Sequence, residues 1–117
     1  MLPDPKKFAE TWIDSWNSHD LDRILEHYAD DVEVTTPMIK VVMGIDDGTV
    51  RGKADVRRYW GIALEKVPDL RFELIECALG VESIAIYYKA VMGKTAVEVM
   101  FFDRDGKVSR VFVHYSQ

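Results

Sequence analysis

Lys94-Thr95-Ala96-Val97-Glu98-Val99-Met100-Phe101-Phe102 is the stretch on which the fold turns. It is nearly all apolar and rich in β-branched and aromatic residues, the composition of a strand set inside a sheet. Glu98 is its one acid. An unpaired carboxylate in such surroundings costs several kcal/mol, so it shifts its pKa, finds a partner or faces a cavity. Glu98 therefore either serves a ligand or belongs to a structural pair.

Three further strand-like runs surround this one, at residues 70–79, 83–91 and 107–115. Gly80-Val81-Glu82, Met92-Gly93 and Asp103-Arg104-Asp105-Gly106 separate them, so the second half reads as an antiparallel meander. The first half reads as helices. Phe8, Ala9, Trp12, Ile13 and Trp16 form one helical stripe. Asp20 is placed to cap a second helix with Leu21, Ile24, Leu25 and Tyr28 on its inner side. A short strand at 32–36 is stopped by Pro37. Residues 38–43 read as a single helical turn or an extended lid, and Thr49-Val50 as a brief strand. Val56, Tyr59, Trp60, Ala63, Leu64 and Val67 mark a third helix that ends at Pro68. Helices followed by antiparallel strands predict an α+β fold, with three helices packed on one face of a bent sheet.

The chain has 117 residues, enough for one domain, and the expected organisation is a single domain over 1–117. Net charge is −5 with scattered basic residues, which gives no footprint for nucleic acid or an anionic membrane. A lone Cys77 rules out an intrachain disulfide. No apolar run reaches the roughly 18 residues of a membrane span, and Met-Leu-Pro-Asp-Pro-Lys-Lys has no signal core, so a cytoplasmic location is expected.

Hairpin arithmetic maps the sheet faces. A two- or four-residue loop at Met92-Gly93 makes opposed residues sum to 185, which sets Glu98 opposite Tyr87; a three-residue loop would not. A loop at 103–106 sets Val111 opposite Glu98 and Val113 opposite Ala96. One face then carries Ala85, Tyr87, Ala96, Glu98, Met100, Val111, Val113 and Tyr115. The other carries Ile84, Ile86, Tyr88, Val97, Val99, Phe101 and Phe112. Both are apolar, whereas a lone antiparallel sheet wets one face. A second copy of the chain is expected on the outer face, the alternative being a long loop.

The run Trp12-Ile-Asp-Ser-Trp-Asn-Ser-His-Asp-Leu-Asp-Arg-Ile-Leu-Glu-His-Tyr-Ala-Asp-Asp-Val-Glu-Val resembles the opening of the NTF2-like superfamily. The resemblance continues through Gly52-Lys-Ala-Asp-Val-Arg-Arg-Tyr-Trp and the closing strands. That group includes nuclear transport factor 2, ketosteroid isomerases, SnoaL-like polyketide cyclases and limonene epoxide hydrolases. The resemblance implies a cone, a curved sheet wrapped around helices with an apolar pocket between them, and frequent dimers. Where ketosteroid isomerases carry their basic aspartate this chain has Thr36, and Trp12 stands at their oxyanion-hole phenol. Their protonated acid aligns with Glu98; their supporting tyrosines align with Tyr28, which agrees, and Trp60, which departs. A true ketosteroid isomerase is thereby disfavoured. The two acids and arginine of the epoxide hydrolases have no counterpart. A SnoaL-like reaction, with one carboxylate in an apolar pocket, remains.

These readings give Glu98 and Tyr87 as catalytic candidates. Trp12, Trp16, Tyr28, Thr36, Trp60, Phe72, Met100, Val113 and Tyr115 are the ligand-binding candidates. Glu98 would act as general acid/base or as a neutral donor to a carbonyl. The structural alternatives are an ion pair with Lys89 or a hydrogen bond to Tyr87. His19, His27 and His114 lack ligand spacing, so neither a metal nor a cofactor is expected. His19 is read as part of the interhelix turn, His27 as solvated and Cys77 as core. The expected partner is a small apolar or aromatic molecule. The protein is read as an isomerase- or cyclase-type enzyme, or as a non-catalytic binding or dimerisation module of the same fold.

Overall fold

Asp4 starts the first helix: its carboxylate accepts from the Lys7 backbone N–H at 3.0 Å, and Pro5 follows at the position where a missing N–H is harmless. The structure, a computed structural model, describes residues 2–117. Helix α1 spans Pro5–Asn17 and α2 Leu21–Leu25, the latter capped by Asp20 as expected. Strand β1 (Tyr28–Thr35), helix α3 (Pro37–Met43), strand β2 (Thr49–Arg51) and helix α4 (Lys53–Lys66) follow. Strands β3 (Glu73–Gly80), β4 (Ser83–Lys89), β5 (Thr95–Phe102) and β6 (Val108–Tyr115) complete the chain. The α+β expectation holds. Residues 38–43 are helical, which adds a fourth helix to the three expected.

The six strands form one open, curved sheet in the order β2-β1-β6-β5-β4-β3. All neighbours are antiparallel except β1 and β6, which run parallel. Helix α1 packs against β3, and α4 against β1 and β2. Phe8, Trp12, Trp16, Val56, Tyr59 and Trp60 of these helices meet Ile84, Ile86, Tyr88, Met100 and Val111 of the sheet in a single core. Tyr28 does not extend the α2 stripe. The helix stops at Leu25, and Tyr28 opens β1 instead, fully buried.

The hairpin register differs from the expected one. The β4–β5 loop has three residues, Val91-Met92-Gly93, closed by Ala90 N–H donating to Lys94 O at 2.8 Å. Met92 takes φ 57° and Gly93 φ 70°, a strained choice for methionine that the short loop imposes. Opposed residues thus sum to one less than expected, and the slip turns β4 over. Ile84, Ile86 and Tyr88 face the helices, whereas Tyr87 faces outward and is 38% exposed. The expected outer surface therefore loses Ile84, Ile86 and Tyr88 and gains Ala85 and Tyr87 beside Val97, Val99, Phe101 and Phe112.

At β5–β6 a three-residue loop, 104–106, closed by Asp103 N–H donating to Lys107 O at 2.8 Å, and a bulge between Phe101 and Phe102 each move the register by one, so Glu98 opposes Val113 rather than Val111. A shift of two keeps the faces, and Val111, Val113 and Tyr115 point inward as expected.

His19 adopts φ 61° in the α1–α2 turn and bonds through Nε2 to Leu70 O at 2.7 Å. His27 is not solvated. It is half-buried, 3.2 Å from the Ser15 hydroxyl and edge-on to Phe8, and burial lowers its pKa. Cys77 is only half-buried, on the edge strand β3. Among the described residues no helix is long and apolar enough to cross a membrane.

The register has a direct check. Ile86→Ala should lower unfolding free energy by about 2–5 kcal/mol in urea titrations, whereas Tyr87→Ala should cost under about 1 kcal/mol. The reverse order would restore the other register.

Candidate active site

Strand pairing builds the site from β4 and β5. Glu98 opposes Ile86, and Tyr88 opposes Ala96, so Tyr88 and Glu98 are diagonal neighbours on the inner face. Alanine across from Tyr88 leaves its ring room to lean toward the acid. The Tyr88 hydroxyl donates to Glu98 Oε1 at 2.5 Å, with the two residues 2% and 5% exposed. Ring contacts with Phe72 (4.7 Å) and Trp12 (5.2 Å) fix the phenol.

Among the described residues no cation pairs with Glu98. Lys89, the partner expected for a structural ion pair, points outward and bonds Glu73 at 3.1 Å. Burial raises the Glu98 pKa from 4.5 to about 7, against the opposing pull of the Tyr88 hydrogen bond. Among the described residues no hydrogen bond reaches Oε2, and Trp16 Nε1 is a wholly enclosed, unpartnered polar side-chain atom.

Four tyrosines from four elements surround this acid. Tyr28 of β1, Tyr59 of α4, Tyr88 of β4 and Tyr115 of β6 all have pKa values pushed up, first by burial; the Glu98 charge comes next for Tyr28, Tyr88 and Tyr115, and after Tyr115 for Tyr59. The effect is one-sided, because phenols are neutral while Glu98 titrates. Tyr59 and Tyr115 both approach the Thr36 side chain. Thr36 also caps α3, its hydroxyl accepting from Met38 N–H at 3.1 Å.

The remaining expected wall residues form one cluster of rings. Trp12 stacks on Phe72 with an interplanar angle of 15° and donates its indole N–H to the Tyr28 oxygen at 2.8 Å. Trp60 meets Trp16 at 5.1 Å and Tyr28 at 4.8 Å. Trp16 N–H misses hydrogen-bond geometry yet lies close enough to the Tyr28 oxygen to favour its anion. Asn17 holds Phe72 at the rim, accepting from its N–H at 2.7 Å and donating to its carbonyl at 3.0 Å. Met100 is wholly buried and Val113 half-buried beside Glu98.

The structure thus brings together Glu98, Trp12, Trp16, Tyr28, Thr36, Trp60, Phe72, Met100, Val113 and Tyr115. It sets Tyr87 apart, replaces it with Tyr88 and adds Tyr59. One sequence signal pointed to Tyr88: Lys89 alternates with it, and a lysine is the residue to place outward. A surface cleft of about 370 Å³ lies elsewhere, between α2 and α4, and is lined by Asp22, Leu25, Glu26, Lys53, Ala54 and Arg57. Its Arg57 and Asp22 pair with each other at 2.8 Å.

Fold and site match a known group. The SnoaL-like domain family matches residues 9–111, and the chain belongs to that family. A SnoaL-like protein of unknown function from Burkholderia thailandensis E264 is 45% identical, with a TM-score of 0.94 over 97% of this chain and 94% of that one. IdmH, a candidate polyketide cyclase from Streptomyces antibioticus, is 18% identical with a TM-score of 0.79 over 97% and 93%. A candidate SnoaL-like isomerase from Agrobacterium tumefaciens is 15% identical with a TM-score of 0.77 over 97% of each chain. The last two likenesses show the fold alone. No curated protein matches the chain.

The raised Glu98 pKa makes a stability prediction. The unfolded chain loses this proton near pH 4.5 and the folded chain near 7, so between the two the folded state binds more protons and stability falls as pH rises. Glu98→Gln removes the effect. Its stability relative to the native chain should improve by about 3 kcal/mol between pH 4.5 and 8 in urea titrations. A flat difference would mean an unperturbed carboxyl.

Proposed function

We propose that the chain binds a small apolar or aromatic molecule bearing a carbonyl, and that Glu98 acts on it as general acid/base or as a neutral hydrogen-bond donor. One observation carries this reading. An interior carboxyl has, among the described residues, a tyrosine as its only hydrogen-bond partner, and burial pushes its pKa up to about 7. A carboxyl poised there can give or take a proton with little penalty in either direction, which an isomerase- or cyclase-type reaction requires. Ionised structural pairs behave oppositely, because a cation lowers the acid's pKa. The free oxygen Oε2 is the contact point. The ligand enters past Tyr115, Val113 and Tyr59, since the rings of Trp12, Trp16, Phe72 and Trp60 close the opposite side. No cofactor is needed for such chemistry.

Small aromatic ketones, screened by ligand-observed NMR, test the reading. Affinity should fall about tenfold per pH unit above 7, where Glu98 loses its donor proton. Glu98→Gln should bind without this pH dependence, because its amide still donates. At saturating ketone above pH 7, where ionised Glu98 can take an α-proton, the native chain should exchange α-protons with solvent deuterium and Glu98→Gln should not. Binding without exchange in either protein would support the non-catalytic module. Binding indifferent to pH in the native chain would remove Glu98 from the site.

We further propose that the outer sheet face pairs two copies of the chain. Ala85, Val97, Val99, Phe101 and Phe112 are only partly covered there, beside exposed Tyr87. Arg110 lies over the Phe101 and Phe112 rings at 5.6 and 5.2 Å. Sedimentation should show a dimer that Val99→Glu converts to monomer. A monomeric native chain would discard the pairing.

A further inference from the structure

We infer that Tyr88 is the positioning residue of the site: it fixes the Glu98 carboxyl, occupies Oε1 and leaves Oε2 as the single oxygen that meets a ligand. The inference rests on the proposed role of Glu98 and adds the group that makes this acid usable.

Four observations support it. The bond is short at 2.5 Å, and both partners are almost wholly buried, so water does not compete for it. Tyr88 is clamped between Trp12 and Phe72, which immobilises the donor rather than the acid alone. Ala96 faces Tyr88 across the hairpin, and its small side chain permits the diagonal lean. Among the described residues no other hydrogen bond reaches the Glu98 carboxyl. Tyr28, Tyr59 and Tyr115 face Glu98 from β1, α4 and β6 and remain neutral while it titrates.

A glutamate has three rotatable bonds, and with only apolar contacts its carboxyl would take several orientations. A hydrogen bond to one oxygen selects among them. The same bond favours the ionised form, so it holds the acid within reach of neutrality against burial. Tyr88 does not touch the ligand in this scheme; it acts through Glu98.

The test needs no substrate. Glutamate labelled with 13C at Cδ reports the titration of Glu98, its resonance identified by loss in Glu98→Gln. The native chain should show a midpoint near 7, and Tyr88→Phe should move it up by about one unit or more. A purely structural Tyr88 would lower stability in the variant and leave the midpoint unchanged, which overturns the inference. A native midpoint near 4.5 would instead overturn the reading of Glu98 itself, so the two failures are distinct. Should Tyr88→Phe not fold, the native chain still decides. A strongly downfield hydroxyl proton must be present and must vanish in Glu98→Gln; its absence from the native spectrum refutes the bond.

Discussion

A carboxyl enclosed by rings, with one phenol to hold it, is the constraint around which this molecule is arranged. Dehydrating an acid is costly, and a single Tyr88 donor returns only part of the loss. The acid's surroundings follow from the same constraint. Ala96 is small so that Tyr88 can reach across, and Phe72 and Trp12 keep the phenol in place. Lys89, which follows Tyr88 on β4, is turned to the far side and held by Glu73.

Much of the architecture was legible before any coordinates. Helical stripes, caps and strand alternation placed the main elements, and their order indicated helices laid on a bent sheet. The interior wall from Trp12 to Tyr115 was also legible, since helical spacing and strand parity decide which side chains look inward. The missed part came from one loop. Glycine is the residue for a left-handed turn, and Met92 shares that conformation with Gly93, so a three-residue connection has no clear mark in sequence. One added residue turned β4 over and exchanged Tyr87 for Tyr88. The short β5–β6 loop and its bulge were equally invisible but together harmless, because their two one-residue shifts add up to the period of a strand.

Membership of the SnoaL-like family accounts for the cone and leaves chemistry to the residues inside it. Thr36 shows how such a scaffold is re-equipped. In the isomerases that the sequence resembles, an aspartate stands at this position and removes a proton. Here a hydroxyl caps α3 and borders two tyrosines. The acid of this chain stands on β5, two strands along the same sheet from β1, where enclosure rather than charge sets its behaviour.

The parallel pairing of β1 with β6 has a consequence for biosynthesis. Glu33 meets Arg110 and Val34 meets Val111, so a segment made early is completed only by one made late. Tyr28, which accepts the Trp12 indole proton, lies on that early strand. Local hairpins such as β3–β4 and β4–β5 can form as soon as they leave the ribosome, whereas this ladder must wait for distant partners. Until β6 arrives, the nascent chain carries its tryptophans without a finished wall to receive them, and the surroundings of Glu98 are the last part of the protein to exist.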